Sequence, residues 1–144
     1  NYHVGERVNF DLRCLDKIPG LIDDLGPIDT LVNNAAVLFC DPMDAIPETH
    51  IREILEVNLL APARLIESVS SDMKSRGGGR IVSIGSVSAF TGHPDLWYGA
   101  TKAALLTLTQ SYASHLGRHN VLFNAVAPGP TLTKMYEDLP HSLK

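Results

Sequence analysis

The stretch GRIVSIGSVSAFTGHPDLWYGATKAAL, Gly79 to Leu105, decides the fold. Arg80–Ile84 (RIVSI) is a short apolar run directly after Gly77-Gly78-Gly79 and reads as a strand. From Tyr98 to Leu116 the apolar residues Leu105, Leu108, Tyr112 and Leu116 return at spacings of three and four, which predicts a helix. Gly117 stands at a natural C-cap position. Val121–Ala127 (VLFNAVA) is a further strand, broken by Pro128-Gly129-Pro130.

Upstream the same alternation holds. Ile28–Asn34 (IDTLVNN) is a strand, followed by a loop with Pro42 and Pro47. A long helix is predicted from about Glu48 to Arg76, with Ile51, Ile54, Leu55, Leu59, Leu65 and Ile66 at helical spacing and a kink at Pro62. Leu15–Leu25 is helical, with Ile18, Leu21, Ile22 and Leu25 on one face and Gly26-Pro27 as its stop. Arg7–Leu12 (RVNFDL) reads as a short strand. Strands alternating with helices imply a parallel sheet wrapped by helices, an α/β fold. There is no repeat, low-complexity segment or internal linker, so residues 1–144 form a single domain.

Composition narrows the function classes. At 144 residues, 44% hydrophobic and 19% charged, the chain is globular rather than disordered. A net charge of -4 with Lys and Arg scattered singly offers no stripe for nucleic acid. No apolar run approaches the roughly 20 residues that span a bilayer, and Asn1-Tyr2-His3 carries no signal pattern. Cys14 and Cys40 show no metal or CxxC spacing, and two idle thiols suit a cytoplasmic location. His115 and His119 are four apart, but Gly117 between them ends the helix, so no metal site is expected.

Five segments carry a family resemblance. IDTLVNNAA (Ile28–Ala36), EVNLLAP (Glu56–Pro62), GRIVSIGSVSAF (Gly79–Phe90), YGATKAAL (Tyr98–Leu105) and NAVAPGPTLT (Asn124–Thr133) resemble, in order and spacing, the motifs of single-domain short-chain dehydrogenases/reductases. The resemblance implies a Rossmann-like, doubly wound parallel sheet of strand order 3-2-1-4-5-6-7, of which this chain offers the strands corresponding to 3, 4, 5 and 6. It implies Ser86, Tyr98, Lys102 and Asn58 as catalytic residues and NAD or NADP as cofactor. Asp11 and Leu12 match positions that touch adenine, and Asn34, Ala35 and Ala36 match the loop against the adenosine ribose. Pro128, Gly129, Thr131 and Thr133 match positions around the nicotinamide amide. Lys102 and Tyr98 also face the nicotinamide ribose, and the residue matching Asn58 holds a water that links Lys102 to solvent. The substrate is implied to be a small carbonyl compound or secondary alcohol, with 3-oxoacyl-carrier-protein reductase as one activity of this type. His93, Leu96, Trp97, Met135, Tyr136 and Leu139 are expected near an apolar pocket mouth. Homo-oligomers, dimers or tetramers, are implied for the full-length protein through its long helices.

The residue types suit the chemistry. Tyr98 and Lys102 are four apart on a helix and share a face. A free phenol has a pKa of about 10, and an adjacent ammonium favours the phenolate. Lowering that pKa by about three units takes about 4 kcal/mol, for which Lys102 and an oxidised nicotinamide are the expected sources. Tyr98 would then exchange a proton with the substrate oxygen. Ser86 lies just past a strand's carboxyl end, where it can donate to that oxygen.

Departures from the pattern are equally definite. No strand followed by Thr-Gly-x-x-x-Gly-x-Gly is present to cradle a pyrophosphate, and Gly77-Gly78-Gly79 follows a helix instead. We expect a fragment of a protein of about 250 residues, whose strand 4 would be left as a bare apolar edge. The alternative reading is a non-catalytic remnant of such an enzyme. A serine hydrolase is disfavoured because IGSVS lacks Gly-x-Ser-x-Gly. Sugar-nucleotide epimerases share Tyr-x-x-x-Lys, but Asn33-Asn34-Ala35-Ala36 resembles the single-domain type better.

Overall fold

The computed structural model describes Gly5 and residues 7–137. Along it run α1 (Ile18–Leu25), β1 (Thr30–Asn33), α2 (Glu48–Leu55), α3 (Ala61–Ser75), β2 (Gly79–Ile84), α4 (Ser88–Thr91), α5 (Leu96–Leu116), β3 (Val121–Val126) and α6 (Lys134–Glu137). The three strands form one parallel sheet in the order β1-β2-β3. They are the runs IDTLVNN, RIVSI and VLFNAVA, set side by side as strands 4, 5 and 6 of the doubly wound order.

The register decides which residues are core. Leu31, Ile81 and Phe123 lie in one row, and Asn33, Ser83 and Ala125 in the next row on the same face. That face meets the helices. Ile18, Ile22, Ile66, Val69, Met73, Ile81 and Val121 are buried together there, and Tyr112 of α5 stacks on Phe123. The crossovers from β1 to β2 and from β2 to β3 step in one direction, so right-handed connections put their helices on one side. On the opposite face Val32 and Val126 remain about half exposed, at 54% and 51%, and among the described residues no helix covers them.

Two expectations are corrected, and a third holds with a different backbone geometry. Arg7–Leu12 forms no strand, because no neighbouring strand is present among the described residues to supply ladder partners. Phe10 and Leu12 pack on the helix-side core instead. The helix from Glu48 to Ser75 is continuous, but Glu56–Leu60 is a π turn. In an α-helix Pro62 would set its ring against the carbonyl of Asn58, and the wider turn just before α3 relieves that clash. Gly117 is the C-cap of α5, as its position suggests, but it keeps a right-handed φ of -56° and starts a 3₁₀ turn to His119. The left-handed stop is Asn120 (φ 60°), whose Nδ2 donates to the Gly77 carbonyl at 2.9 Å. Gly78 (φ 146°) lies so close to Asn120 that a Cβ would sit 2.7 Å from its carbonyl oxygen.

Candidate active site

A cavity of about 710 Å³ opens at the carboxyl ends of the three strands. Its walls follow from chain direction, since parallel strands release their connecting loops at one end. Asn34, Ala35 and Ala36 come from the loop after β1, Gly85 and Ser86 from that after β2, and Pro128, Gly129, Thr131 and Thr133 from that after β3. Tyr98 and Lys102 enter from the first two turns of α5, and His93, Met135 and Tyr136 close the mouth.

Ser86 is the centre of a short hydroxyl chain. Its Oγ accepts from the Ser88 hydroxyl at 2.7 Å and from the Ser88 backbone N–H at 3.1 Å. With both bonds accepted, its own proton is left to donate. Burial raises the pKa of the Tyr98 phenol, the neighbouring Ser86 hydroxyl lowers it by less, and the Asp95 carboxylate raises it further. The expected depression of the Tyr98 pKa is therefore not a property of the protein groups alone.

Lys102 is 2% exposed, and burial holds its ammonium down to a pKa of about 8. Its Nζ donates to the Ile84 carbonyl at 2.7 Å and lies 5.6 Å from the centre of the Tyr98 ring. The two side chains thus share a face, as their spacing requires, with the ammonium over the ring. The ring of His93 tilts against Tyr98 at 4.8 Å between centroids.

Asn58 stands in the π turn and is 1% exposed. It clamps the Val37 backbone twice, with Val37 N–H donating to Oδ1 at 2.8 Å and Nδ2 donating to the Val37 carbonyl at 2.9 Å. Nδ2 also reaches Thr101 Oγ1 at 3.3 Å, tying the clamp to α5. Asp95, absent from the sequence expectations, fixes the same loop from the other side. Its Oδ2 accepts from Phe39 N–H at 2.9 Å and Cys40 N–H at 3.3 Å, while Oδ1 caps α5 by accepting from Tyr98 N–H at 2.9 Å. An Asp three residues before Tyr98 is an N-cap signal that the sequence does carry. Ser88 also went unexpected, though its spacing two residues after Ser86 was visible.

Other expected residues fall elsewhere. Asp11 is spent on Arg13, with Arg13 Nη2 2.7 Å from Oδ2, and neither Asp11 nor Leu12 lines the cavity, because the segment that would carry them there is not in the sheet. Leu96 and Trp97 do not line it either, and Leu139 lies outside the described residues. Cys14 and Cys40 are free thiols and half-buried. No described helix is long and apolar enough to cross a membrane.

Comparison with known proteins gives this geometry a context. The family model described as short chain dehydrogenase matches residues 10–144. The chain is 42% identical over 110 residues to dehydrogenase/reductase SDR family member 4 of Mus musculus, covering 74% of this chain and 39% of that protein. It is 36% identical over 122 residues to galactitol 2-dehydrogenase of Agrobacterium fabrum, covering 83% and 48%. The solved gluconate 5-dehydrogenase from Burkholderia cenocepacia, in complex with NADP and tartrate, superposes with a TM-score of 0.83 at 31% identity, covering 88% of this chain and 51% of that one. The chain spans about half the length of the relatives it matches, or less.

Proposed function

The chain belongs to the short chain dehydrogenase family, and from that premise we propose that it carries the proton-transfer half of a nicotinamide-dependent oxidoreductase acting on a ketone or secondary alcohol. The observation that carries this reading is the convergence of Ser86, Tyr98 and a buried Lys102 on one strand-end cavity. The residues present fit a nicotinamide nucleotide, NAD or NADP. Asn34, Ala35 and Ala36 offer a flat, small-residue wall, and Thr131, Thr133 and Lys102 offer hydroxyl and ammonium donors to ribose and amide groups. When bound, the nicotinamide supplies or accepts the hydride.

The chain's own residues handle the proton. In the reductive direction the Tyr98 hydroxyl gives its proton to the substrate oxygen, and in the oxidative direction the phenolate takes it from the alcohol. Ser86 donates a hydrogen bond to the same oxygen, with its proton aimed by the two bonds it accepts from Ser88. Lys102, when protonated, favours the phenolate by charge. Asn58 holds the loop after β1, and in this reading it retains a water between Lys102 and solvent. For substrate, the galactitol and gluconate named for two relatives favour a polyhydroxylated alcohol or ketone over a 3-oxoacyl thioester.

The test is NAD(P)H oxidation, in the protein carrying this chain, over a panel of 5-ketogluconate, a ketose, a simple ketone and a 3-oxoacyl thioester. Turnover with at least one is expected, with Tyr98→Phe reducing it by about 10³-fold or more. Near-normal turnover in Tyr98→Phe would overturn the reading. Nicotinamide binding without turnover on any substrate would favour the non-catalytic alternative.

A further inference from the structure

We propose that Asp95 is a positioning residue that locks the loop after β1 to the first turn of α5 and so fixes where the Tyr98 hydroxyl stands. This rests on the reading of Tyr98 as the proton donor and acceptor. Three backbone N–H groups from two segments 55 or more residues apart in sequence converge on one carboxylate: those of Phe39, Cys40 and Tyr98. The side chain is shielded, since Asp95 is 4% exposed, and it does not line the cavity. It therefore acts through other residues rather than on substrate.

Its backbone extends the lock to a third group. Asp95 N–H donates to His93 Nδ1 at 3.0 Å. A ring nitrogen that accepts this bond carries no proton, so neutral His93 holds its proton on Nε2. That ring lies against Tyr98. The phenol is thus held from its backbone by Oδ1 and braced on its ring by His93, and the loop that carries Ala35 and Ala36 into the cavity is anchored by Oδ2 a few residues on. Asn58 pegs the same loop at Val37, so the loop is fixed at two points from two different helices.

A carboxylate in this place has a second effect. The groups that act on the Tyr98 phenol are the Ser86 hydroxyl, which lowers its pKa, and burial and Asp95, which raise it, with Lys102 and His93 close to the ring. Removing the Asp95 charge thus moves the phenol titration to lower pH. A residue with a structural role alone would alter unfolding without moving that titration.

The experiment uses two variants. Asp95→Asn keeps the size but places an amide N–H against backbone N–H donors, and Asp95→Ser keeps a cap acceptor for Tyr98 but is too short to reach Phe39 and Cys40. The first readout is phenolate absorbance against pH, with Tyr98→Phe subtracted to isolate Tyr98. It requires neither cofactor nor turnover, so it stands even if the oxidoreductase reading fails. Both variants are expected to titrate Tyr98 at lower pH than the unsubstituted chain. The second readout is steady-state turnover, expected to fall by about tenfold or more in kcat with KM little changed. A Tyr98 titration unmoved in both variants, or kcat unchanged with only KM raised, would overturn the proposal. An unsubstituted protein with no turnover would refute the oxidoreductase reading, while a downward titration shift in both variants would still show that Asp95 sets the surroundings of Tyr98.

Discussion

Lys102 invites a stability experiment. Burial holds its pKa at about 8, against an ordinary value of 10.5. That gap of about 2.5 units corresponds to about 3 kcal/mol of cost for keeping the ammonium charged inside the fold. The group binds fewer protons folded than unfolded in this interval, so its contribution to stability rises with pH from about 8 toward 10.5. Integrated from about pH 7 to about pH 9, the gain is about 1.4 kcal/mol. Above about pH 9 the Cys40 thiol and the Tyr98 and Tyr112 phenols oppose it, because burial raises their pKa values and their folded forms retain protons longer. Lys102→Met isolates the effect, since it keeps length and removes the charge. Against the cost of the ammonium stands the lost bond to the Ile84 carbonyl, worth about 1 kcal/mol. The net expectation is a variant about 2 kcal/mol more stable at pH 7, with no rise in stability between pH 7 and 9 beyond that of the other groups, and with no turnover. Urea unfolding of both proteins across that pH range measures it. A Lys102→Met protein less stable than the parent at pH 7, or a pH slope identical in the two, would refute the argument.

Two further substitutions probe the loop after β1. Asn58→Ala leaves the Val37 N–H and carbonyl without partners and removes a buried amide, so a loss of about 2–4 kcal/mol is expected in denaturant unfolding, with the midpoint shifted and the slope unchanged. Cys40 holds φ at 55°, a left-handed conformation that costs an L-residue about 1 kcal/mol, so Cys40→Gly should raise or leave unchanged the unfolding midpoint, where an ordinary loop position would lose stability to the added chain entropy.

The strands and helices were legible because their apolar residues repeat at periods of two and about four, and the five motifs marked the order of the sheet. The segment RVNFDL shows where that ends. Its composition is that of a strand, but a strand is a pairing, and no pattern in the segment reveals whether a neighbour exists. The π turn was invisible for a related reason, since Ile54, Val57 and Ala61 keep spacings of three and four through it. Of the site, Ser86, Tyr98 and Lys102 were readable from motif spacing, and all three line one cavity. The direction of the Tyr98 shift was not, because it depends on burial and on Asp95, which only the fold supplies. The bonds from Asp95 to Phe39 and Cys40 cross more than fifty residues and leave no local trace, whereas its capping of Tyr98 does.

The π turn also constrains which length changes this chain can accept. A turn widened between Glu56 and Leu60 accommodates about one more residue than the α-helix around it. Deleting one residue there would restore the phase, whereas closing it into a regular α turn at the same length would rotate everything after it by about 100°. Ile66, Val69 and Met73 would then swing off the core, and Asn58 could no longer face Val37 while they remained in place. The irregular turn therefore acts as a phase adjuster: it lets one helix serve two masters, the polar clamp at its start and the apolar core at its end, whose angular demands a regular helix of the same length could not both meet.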